Sequence, residues 1–237
     1  NEVNVDPALP PLSQVKGSLQ FSERDLRLQQ INALLFGGPL RIGGGTQGGK
    51  VLIVADGTLA MDELRRRMEL PLFDKLSGST VYRAEVRVRK RDVEILLDSN
   101  LLGIASALPA PLGKNAGDPL PLHFENTLLP GGAPRDSDAV VRDQLRASLG
   151  NVVSMQLIRR RQAEGRLPER GAIMIGRAMT SLPERGVNVG ISLPTLDVDS
   201  WQNFLQGTAG SGSGVPVSVD LEADRLILLG GRYNAAK

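Results

Sequence analysis

The segment Gly44-Gly45-Thr46-Gln47-Gly48-Gly49-Lys50 contains the spacing G-x-x-x-x-G-K of a phosphate-binding P-loop. A P-loop needs a Ser or Thr after its lysine to bind magnesium, and a helix N-terminus directly afterwards. Here Val51 follows Lys50, and the residues VLIVA are typical of a strand. The segment therefore predicts a glycine turn between two strands, with Lys50 solvated at the start of the second.

Asp197 and Asp199, in the sequence LDVDSWQNFL, could form a metal-binding or acid–base pair. An aspartate before SWQNFL can equally cap a helix, because its carboxylate accepts hydrogen bonds from the free amides of the first turn. The other carboxylates are dispersed over strand faces and turns. We favour the cap, so a glycan-active enzyme, which needs a carboxylate pair in a cleft, is the weaker hypothesis.

Cysteine is absent and His123 is the one histidine. Disulfides, thiolate metal sites and cysteine nucleophiles are thereby excluded, and a Ser-His-Asp relay could use no imidazole but this one. His123 lies in PLPLHFENTL, which is typical of a strand, and no serine has the G-x-S-x-G setting of a nucleophile elbow. The sequence predicts no catalytic residue, no metal site and no cofactor.

Two arginine runs, at 65–67 and 159–161, could bind phosphates or anionic head groups. Arginine on a helix face or at a strand end is ordinarily solvated, and this interpretation is favoured for both runs. With 28 basic and 26 acidic residues and 3% aromatics, the chain lacks the basic surface and stacking platforms of nucleic-acid binding. We expect no nucleic-acid partner.

The elements that hold these residues are mainly strands, since 27 Gly and 15 Pro imply many turns. A hairpin is predicted around the polar residues 22–25, followed by a strand broken at Gly37-Gly38-Pro39. Met61, Leu64 and Met68 have helical spacing and predict a short helix that Pro71 ends. A second short helix is expected near Asp199.

The clearest alternation begins at Tyr82 and predicts a one-sided antiparallel sheet. Charged residues alternate there with small apolar ones, and a second alternation begins at Leu145. One error in strand register would reverse every face assignment. The apolar-side residues of these strands are Tyr82, Ala84, Val86, Val88, Leu145, Leu149, Met155 and Leu157.

The chain organisation is predicted as a β segment over 1–206, a flexible Gly/Ser linker over 207–214 and the start of another β segment over 215–237. The stretch ADRLILLGG resembles RDLRLQQINALLFGG near the N-terminus, which is consistent with a sheet built by repetition. No stretch reaches the 18 to 20 or so apolar residues of a membrane span. Because the chain begins at Asn1 without a signal-peptide pattern, we expect it to be a piece of a longer protein.

Four segments, in this order, resemble the middle part of the YhdP family of very long AsmA-like envelope proteins: residues 9–42, 82–122, 170–176 and 192–205. The most specific is SNLLGIASALPAPLGKNAGDPLPL, residues 99–122. The resemblance implies a mainly β fold, an elongated and twisted antiparallel sheet curled into a trough, with two or three short helices. It also implies a periplasmic location in a protein anchored to the inner membrane of a Gram-negative bacterium.

The function implied by this resemblance is non-enzymatic conduction of phospholipids toward the outer membrane, which supports the outer-membrane barrier. The partners would be phospholipid acyl chains, the remaining segments of the same long protein and envelope proteins, and the apolar-side residues above would line the groove. Two alternatives stay open: the apolar side could be the core of a closed β-sandwich that acts as a spacer, or the segment could be an interaction scaffold that carries no lipid.

Overall fold

The computed structural model describes residues 2–3, 11–23, 25–67, 70–89, 92–129, 141–162, 165–206 and 215–234. The chain forms two compact units. Unit 1 consists of Asn1–Ala105 and Asn115–Glu125, and unit 2 of Ser106–Lys114 and Asn126–Lys237.

The described residues of unit 1 form seven complete strands, one α-helix and one 3₁₀ helix. In chain order these are β1 (Glu2–Val3), β2 (Leu12–Phe21), β3 (Leu26–Leu35), β4 (Gly38–Gln47), β5 (Lys50–Ala60), α1 (Met61–Arg67), the 3₁₀ helix (Pro71–Lys75), β6 (Leu76–Arg89) and β7 (Asp92–Ser99). Each strand from β1 to β7 pairs antiparallel with the next. Two further strands have residues in both units: β8 (Ile104–Ser106) and β9 (Leu122–Leu128).

Two-residue turns set the register of the central hairpins in unit 1. The β4–β5 hairpin closes on the pair Gln47 and Lys50, and the turn residues Gly48 and Gly49 have φ values of 57° and 75°. Positive φ at both positions belongs to the type I′ turn, whose twist matches that of paired strands. The glycine segment is therefore the predicted strand-to-strand turn, and Lys50 is exposed.

The predicted strand broken at Gly37-Gly38-Pro39 is instead a second tight hairpin. The chain reverses at Phe36-Gly37, with φ values of 49° and 73°, and Leu35 pairs with Gly38. Phe36 adopts a backbone region that few non-glycine residues enter, which is why the sequence suggested an interruption rather than a reversal. Leu229-Gly230 repeats this turn, with φ of 52° and 71°, at the place where the two similar stretches align.

The predicted first helix is present as α1, and Met68 lies outside the described residues. Met61 and Leu64 are buried in a cluster with Ile104, against which Phe36 and Leu59 pack. Pro71 opens the 3₁₀ helix rather than simply ending α1. Because Leu59 lies near the end of β5, α1 covers one end of the sheet in unit 1.

In the part of unit 2 that the structure describes there are six complete strands and one helix: β10 (Arg142–Leu149), β11 (Val153–Gln162), β12 (Gly165–Ile175), β13 (Gly186–Asp197), α2 (Val198–Gln206), β14 (Val217–Leu228) and β15 (Gly231–Asn234). The pairs β10–β11, β11–β12 and β14–β15 are antiparallel. The pairs β12–β13 and β13–β14 are parallel. Parallel strands need long return connections, and here residues 176–185 and the segment containing α2 carry the chain back.

The predicted fold class, a mainly β chain built on a long antiparallel sheet with two or three short helices, is confirmed, with the parallel pairs as a local addition. The predicted linker 207–214 lies outside the described residues. β14, which follows it, pairs with β13 inside unit 2. The predicted division of the chain at this linker stays a prediction.

The two aspartates at the start of α2 both have structural roles. Asp197 caps the helix: its carboxylate accepts hydrogen bonds from the Ser200 amide at 2.9 Å and the Ser200 hydroxyl at 2.8 Å. Asp199 accepts hydrogen bonds from the amides of Leu229 and Gly230 at 2.8 and 2.9 Å and so fixes the β14–β15 turn. The cap interpretation is confirmed at Asp197.

Asp197→Ala should lower the thermal midpoint of unfolding at pH 7, because it leaves the Ser200 amide without its acceptor. The hydrogen bonds from Ser200 lower the pKa of Asp197 below its ordinary value of 3.8. The carboxylate therefore stabilises the fold above pH 3.8, and that contribution is lost as the pH falls through the lower folded-state pKa.

The measurement is thermal unfolding of both proteins followed by circular dichroism at pH 7 and at pH 2.5. We expect the gap between wild type and Asp197→Ala to narrow at the lower pH. The matched control is Asp197→Asn, because a neutral asparagine is also a good N-cap and should retain most of the midpoint. An unchanged midpoint for Asp197→Ala would contradict the role of the cap.

Candidate functional site

The sheet of unit 1 has one continuous apolar face. Val86 of β6 pairs with Ile53 of β5 and Ile95 of β7. The neighbouring rows, built on Ala84 and Val88, repeat this apolar pattern on the same face. We call this surface the unit 1 face, and its residues are Leu40, Ile42, Val51, Ile53, Ala55, Tyr82, Ala84, Val86, Val88, Val93, Ile95 and Leu97.

The unit 1 face is only partly shielded from solvent. Leu40 is buried, and the other residues of the face are half-buried. All complete strands that the structure describes in unit 1 belong to one sheet, so no second sheet closes over this face in the described part of the unit. The four residues predicted for the apolar side of β6 lie here together, and whether they contact lipid stays a prediction.

Tyr82 marks the end of the unit 1 face that is nearer to α1. Its ring lies over Gly57, where an added Cβ would come within 2.7 Å of the Tyr82 hydroxyl. Burial raises the pKa of Tyr82 to about 12. Its hydroxyl has no hydrogen-bond partner among the described residues. Tyr82 therefore acts as an apolar ring packed on the sheet.

The opposite face of unit 1 carries the charged residues, with Leu52, Val54 and Leu96 interspersed among them. The register places Arg41, Asp56, Arg83 and Asp98 in one row across four strands. Arg83 contacts Asp56 at 3.2 Å, and His123 Nδ1 lies 2.7 Å from Asp98. Alternating charges of this kind suit a solvated sheet surface. His123 is in a strand, as predicted, and lines a cavity of about 720 Å³ on this charged face.

Unit 2 has a second apolar face. Leu145 pairs with Leu157, and Leu149 pairs with Val153. The same rows continue across β12, β13 and β14. We call this surface the unit 2 face, and its residues are Leu145, Ala147, Leu149, Val153, Met155, Leu157, Ile173, Ile175, Val187, Val189, Ile191, Val217, Val219 and Leu221.

Most of the well-buried residues of unit 2 lie on the side opposite the unit 2 face. Ala172 and Met174 are almost completely buried there, as are Ile158 and Leu196 to a slightly smaller extent. Met174 lies over Gly190, whose added Cβ would approach the Met174 sulfur to 2.6 Å. On the unit 2 face, Leu145 is buried, most residues are half-buried, and Val217 and Val219 are 60% and 63% exposed. This face therefore remains available for contact with something other than the protein core.

A charged cluster stands at one end of the unit 2 face. Asp143 pairs with Arg159 in the row next to Leu145 and Leu157, and their side chains are 5% and 16% exposed. Arg159 donates to the two Asp143 oxygens at 2.8 and 3.2 Å and to Asn126 Oδ1 at 2.8 Å. Arg166 lies 2.9 Å from the second Asp143 oxygen. Two guanidinium groups thus neutralise one buried carboxylate.

A β-bulge brings Arg166 into this cluster. Ile158 pairs with Arg170 but Arg159 pairs with Pro168, so Glu169 is the extra residue in β12. The bulge shifts the residues before Glu169 to the other face, which places Arg166 beside Arg161. The Glu169 carboxylate accepts a hydrogen bond from Arg142 at 2.6 Å, and this contact holds the pKa of Glu169 below its usual range.

The interpretation of the arginines at 159–161 as ordinary solvated residues is wrong for Arg159. Strand alternation in β10 could have identified this cluster from the sequence. Asp143 lies at the same alternate positions as Leu145 and Leu149, so its side chain belongs to the same face. A carboxylate at such a position requires a cationic partner on the neighbouring strand. In the other run, Arg65 donates to the carbonyl groups of Phe73 and Leu76 and so ties α1 to the residues that follow it.

No metal centre or membrane span emerges from the described residues. They contain no group of three or more histidine, aspartate or glutamate side chains placed to hold a metal ion. Neither helix described is long and apolar enough to cross a membrane.

Asp143→Asn should lower the free energy of unfolding by about 3 kcal/mol, because it leaves Arg159 buried beside a neutral partner. The measurement is urea denaturation followed by circular dichroism. The matched control is Asp98→Asn, which breaks an exposed contact and should cost less than about 1 kcal/mol. Equal costs for the two substitutions would show that the Asp143 cluster is no more important than a surface pair.

One comparison with known proteins identifies a family. The chain matches the model of the YhdP protein family over residues 1–237. No curated protein and no solved structure matches it. Since this match covers all 237 residues, the chain belongs to the YhdP family.

Proposed function

We propose that this chain is a non-enzymatic segment of a bacterial envelope protein and conducts phospholipids toward the outer membrane along an apolar β groove. Membership of the YhdP family supports an envelope lipid-transport role. The main observation in support is that each unit has a half-buried apolar face. Each face is built from rows of aliphatic side chains that the strand register aligns. Each face takes up acyl chains while the head groups stay in water.

The dimensions of the unit 1 face fit this role. Its rows run from Tyr82 to Val88, which is about 20 Å along a strand. One leaflet of a bilayer has a hydrocarbon thickness of about 15 Å, half of the roughly 30 Å core. One acyl chain can therefore lie along the strands without leaving the apolar surface.

The energetics suit transport better than storage. Burial of each methylene group contributes about 0.8 kcal/mol, so a chain lying on either face gains several kcal/mol. This gain is non-directional, and a chain that slides along equivalent rows exchanges one set of contacts for another. Aliphatic rows without directional polar groups therefore favour movement, and no catalytic residue is required.

We place the segment in the periplasm of a Gram-negative bacterium, within a protein anchored to the inner membrane. Its partners are phospholipid acyl chains, the remaining segments of the same long protein and other envelope proteins. Membership of the YhdP family supports the envelope location, and the charged row of Arg41, Asp56, Arg83 and Asp98 is suited to an aqueous environment. Lipid delivered by this route would support the outer-membrane barrier.

Photo-crosslinking in living cells tests this function. A photoreactive amino acid at Val86 or at Leu157 should capture phospholipid, because both side chains lie on apolar faces. The matched controls are Arg87 and Gln156, each the adjacent residue and therefore on the opposite face of the same strand. We expect lipid adducts at the two apolar positions to exceed those at the two controls by about tenfold, the ratio that corresponds to 1.4 kcal/mol.

The alternative functions predict a different result. An interaction scaffold or a spacer would give protein adducts and no phospholipid at Val86 and Leu157. Equal capture of lipid at all four positions would show non-specific contact with membrane and would also contradict the proposal.

A further inference from the structure

A basic surface adjoins the apolar rows at the end of the unit 2 face. Beyond the row of Leu145 and Leu157 comes the row of Asp143 and Arg159, and beyond that the pair Arg161 and Arg166. We call Arg159, Arg161 and Arg166 the arginine rim. All three occupy the alternate strand positions whose side chains belong to the unit 2 face. Arg166 does so because of the bulge at Glu169.

The rim has more positive charge than its own carboxylate can neutralise. Three arginines on this face stand against Asp143, the one acidic residue on the face among the described pairs of β10, β11 and β12. The surrounding sequence has the same imbalance, since residues 159–170 contain five Arg and two Glu. The Glu169 carboxylate forms an ion pair with Arg142 and lies 3.6 Å from Arg160. Both of these arginines occupy strand positions of the opposite face.

Asp143 orients the rim rather than cancelling it. Its buried carboxylate holds the Nε atoms of Arg159 and Arg166 at 2.8 and 2.9 Å. The side chain of Arg166 remains 34% exposed, and Arg161 is exposed. Arg161 and Arg166, the exposed members of the rim, are suited to phosphate oxygens, which guanidinium groups bind through paired N–H donors.

The spacing joins this charge to the apolar face. Two residues along a strand cover about 7 Å, so the rim begins about 7 Å beyond the Leu145–Leu157 row and continues for about 7 Å more. An amphiphile whose acyl chain lies on the rows would place its phosphate at this distance from the last apolar row. A free anion would use the arginines but would gain nothing from the rows.

From this juxtaposition we propose that the arginine rim binds the phosphate group of phospholipids and favours head groups with net negative charge over zwitterionic ones. The inference rests on the proposed function, because the acyl chain must occupy the unit 2 face. A zwitterionic head group brings an ammonium group close to a rim whose arginines outnumber the carboxylates among the described pairs of β10, β11 and β12, whereas an anionic one does not. The rim thereby selects among lipids that the apolar rows alone would treat alike.

The test uses cells that produce the whole protein with a photoreactive amino acid at Leu157, two residues from Arg159 along the strand. Captured lipids are sorted by head group with mass spectrometry. We expect phosphatidylglycerol to be enriched over phosphatidylethanolamine about threefold relative to the membrane, which is the scale of one exposed charge contact. The double variant Arg161→Gln with Arg166→Gln should return this ratio to that of the membrane while total lipid capture stays within about twofold of wild type.

Arg160→Gln is the matched control, because Arg160 is adjacent in β11 and has the parity of the opposite face. It should keep the threefold enrichment. The inference is overturned if wild type shows no enrichment, if the double variant keeps it, or if Arg160→Gln abolishes it equally. A complete absence of lipid at Leu157 would instead contradict the proposed function, so the two failures are distinguishable.

Inorganic phosphate provides the second arm. Binding of phosphate alone to the whole purified protein is measured by calorimetry for wild type and the double variant. Weak binding of inorganic phosphate to both proteins, together with the expected head-group ratios, supports the proposal that the rim binds the phosphate group of a phospholipid. If phosphate binds wild type well and the double variant poorly, while the head-group ratio is the same for both, the rim is a site for the free ion and the lipid assignment is wrong.

Discussion

The two-residue period of a β-strand is the constraint on which this structure depends. Every apolar row crosses several strands, and it stays apolar only because the register keeps alternate positions aligned. A slip of one residue in β6 would move Val86 to the charged side and Arg87 to the apolar side. The separation into an apolar face and a charged face is therefore a property of strand pairing, and no single residue creates it.

Tight turns set that register, and bulges change it locally. The two-residue turn at Gly48-Gly49 fixes the register of the whole β4–β5 hairpin, and the turn at Phe36-Gly37 fixes that of β3–β4 from Leu35 to Ile31, where the register then shifts. In unit 2 the bulge at Glu169 does the opposite, since it reverses the parity of β12 and moves Arg166 to the apolar side. Register thus explains both the apolar rows and the charge that stands at the end of one of them.

Local patterns in the sequence were sufficient for the elements whose cause is local. Alternation predicted the face of β6, glycine pairs predicted a turn before Lys50, and an aspartate ahead of SWQNFL predicted the cap of α2. The parallel pairing of β12 with β13 and β14 could not be predicted, because it depends on which edge a returning strand joins. The bulge at Glu169 was not predicted either, because the segment LPERG, residues 167–171, resembles an ordinary polar strand. Without the bulge, Arg166 would be expected on the face opposite Asp143. The charged cluster was therefore not predicted from the sequence.

We expect the apolar faces to contact acyl chains, and fluorescence quenching measures that contact directly. The whole protein carries an environment-sensitive fluorophore at Val86 or, on the opposite face of the same strand, at Arg87, and receives phospholipids brominated along their acyl chains. We expect strong quenching at Val86 and little at Arg87, since bromine quenches at contact distance. Equal quenching at both positions, or none at Val86, would contradict it.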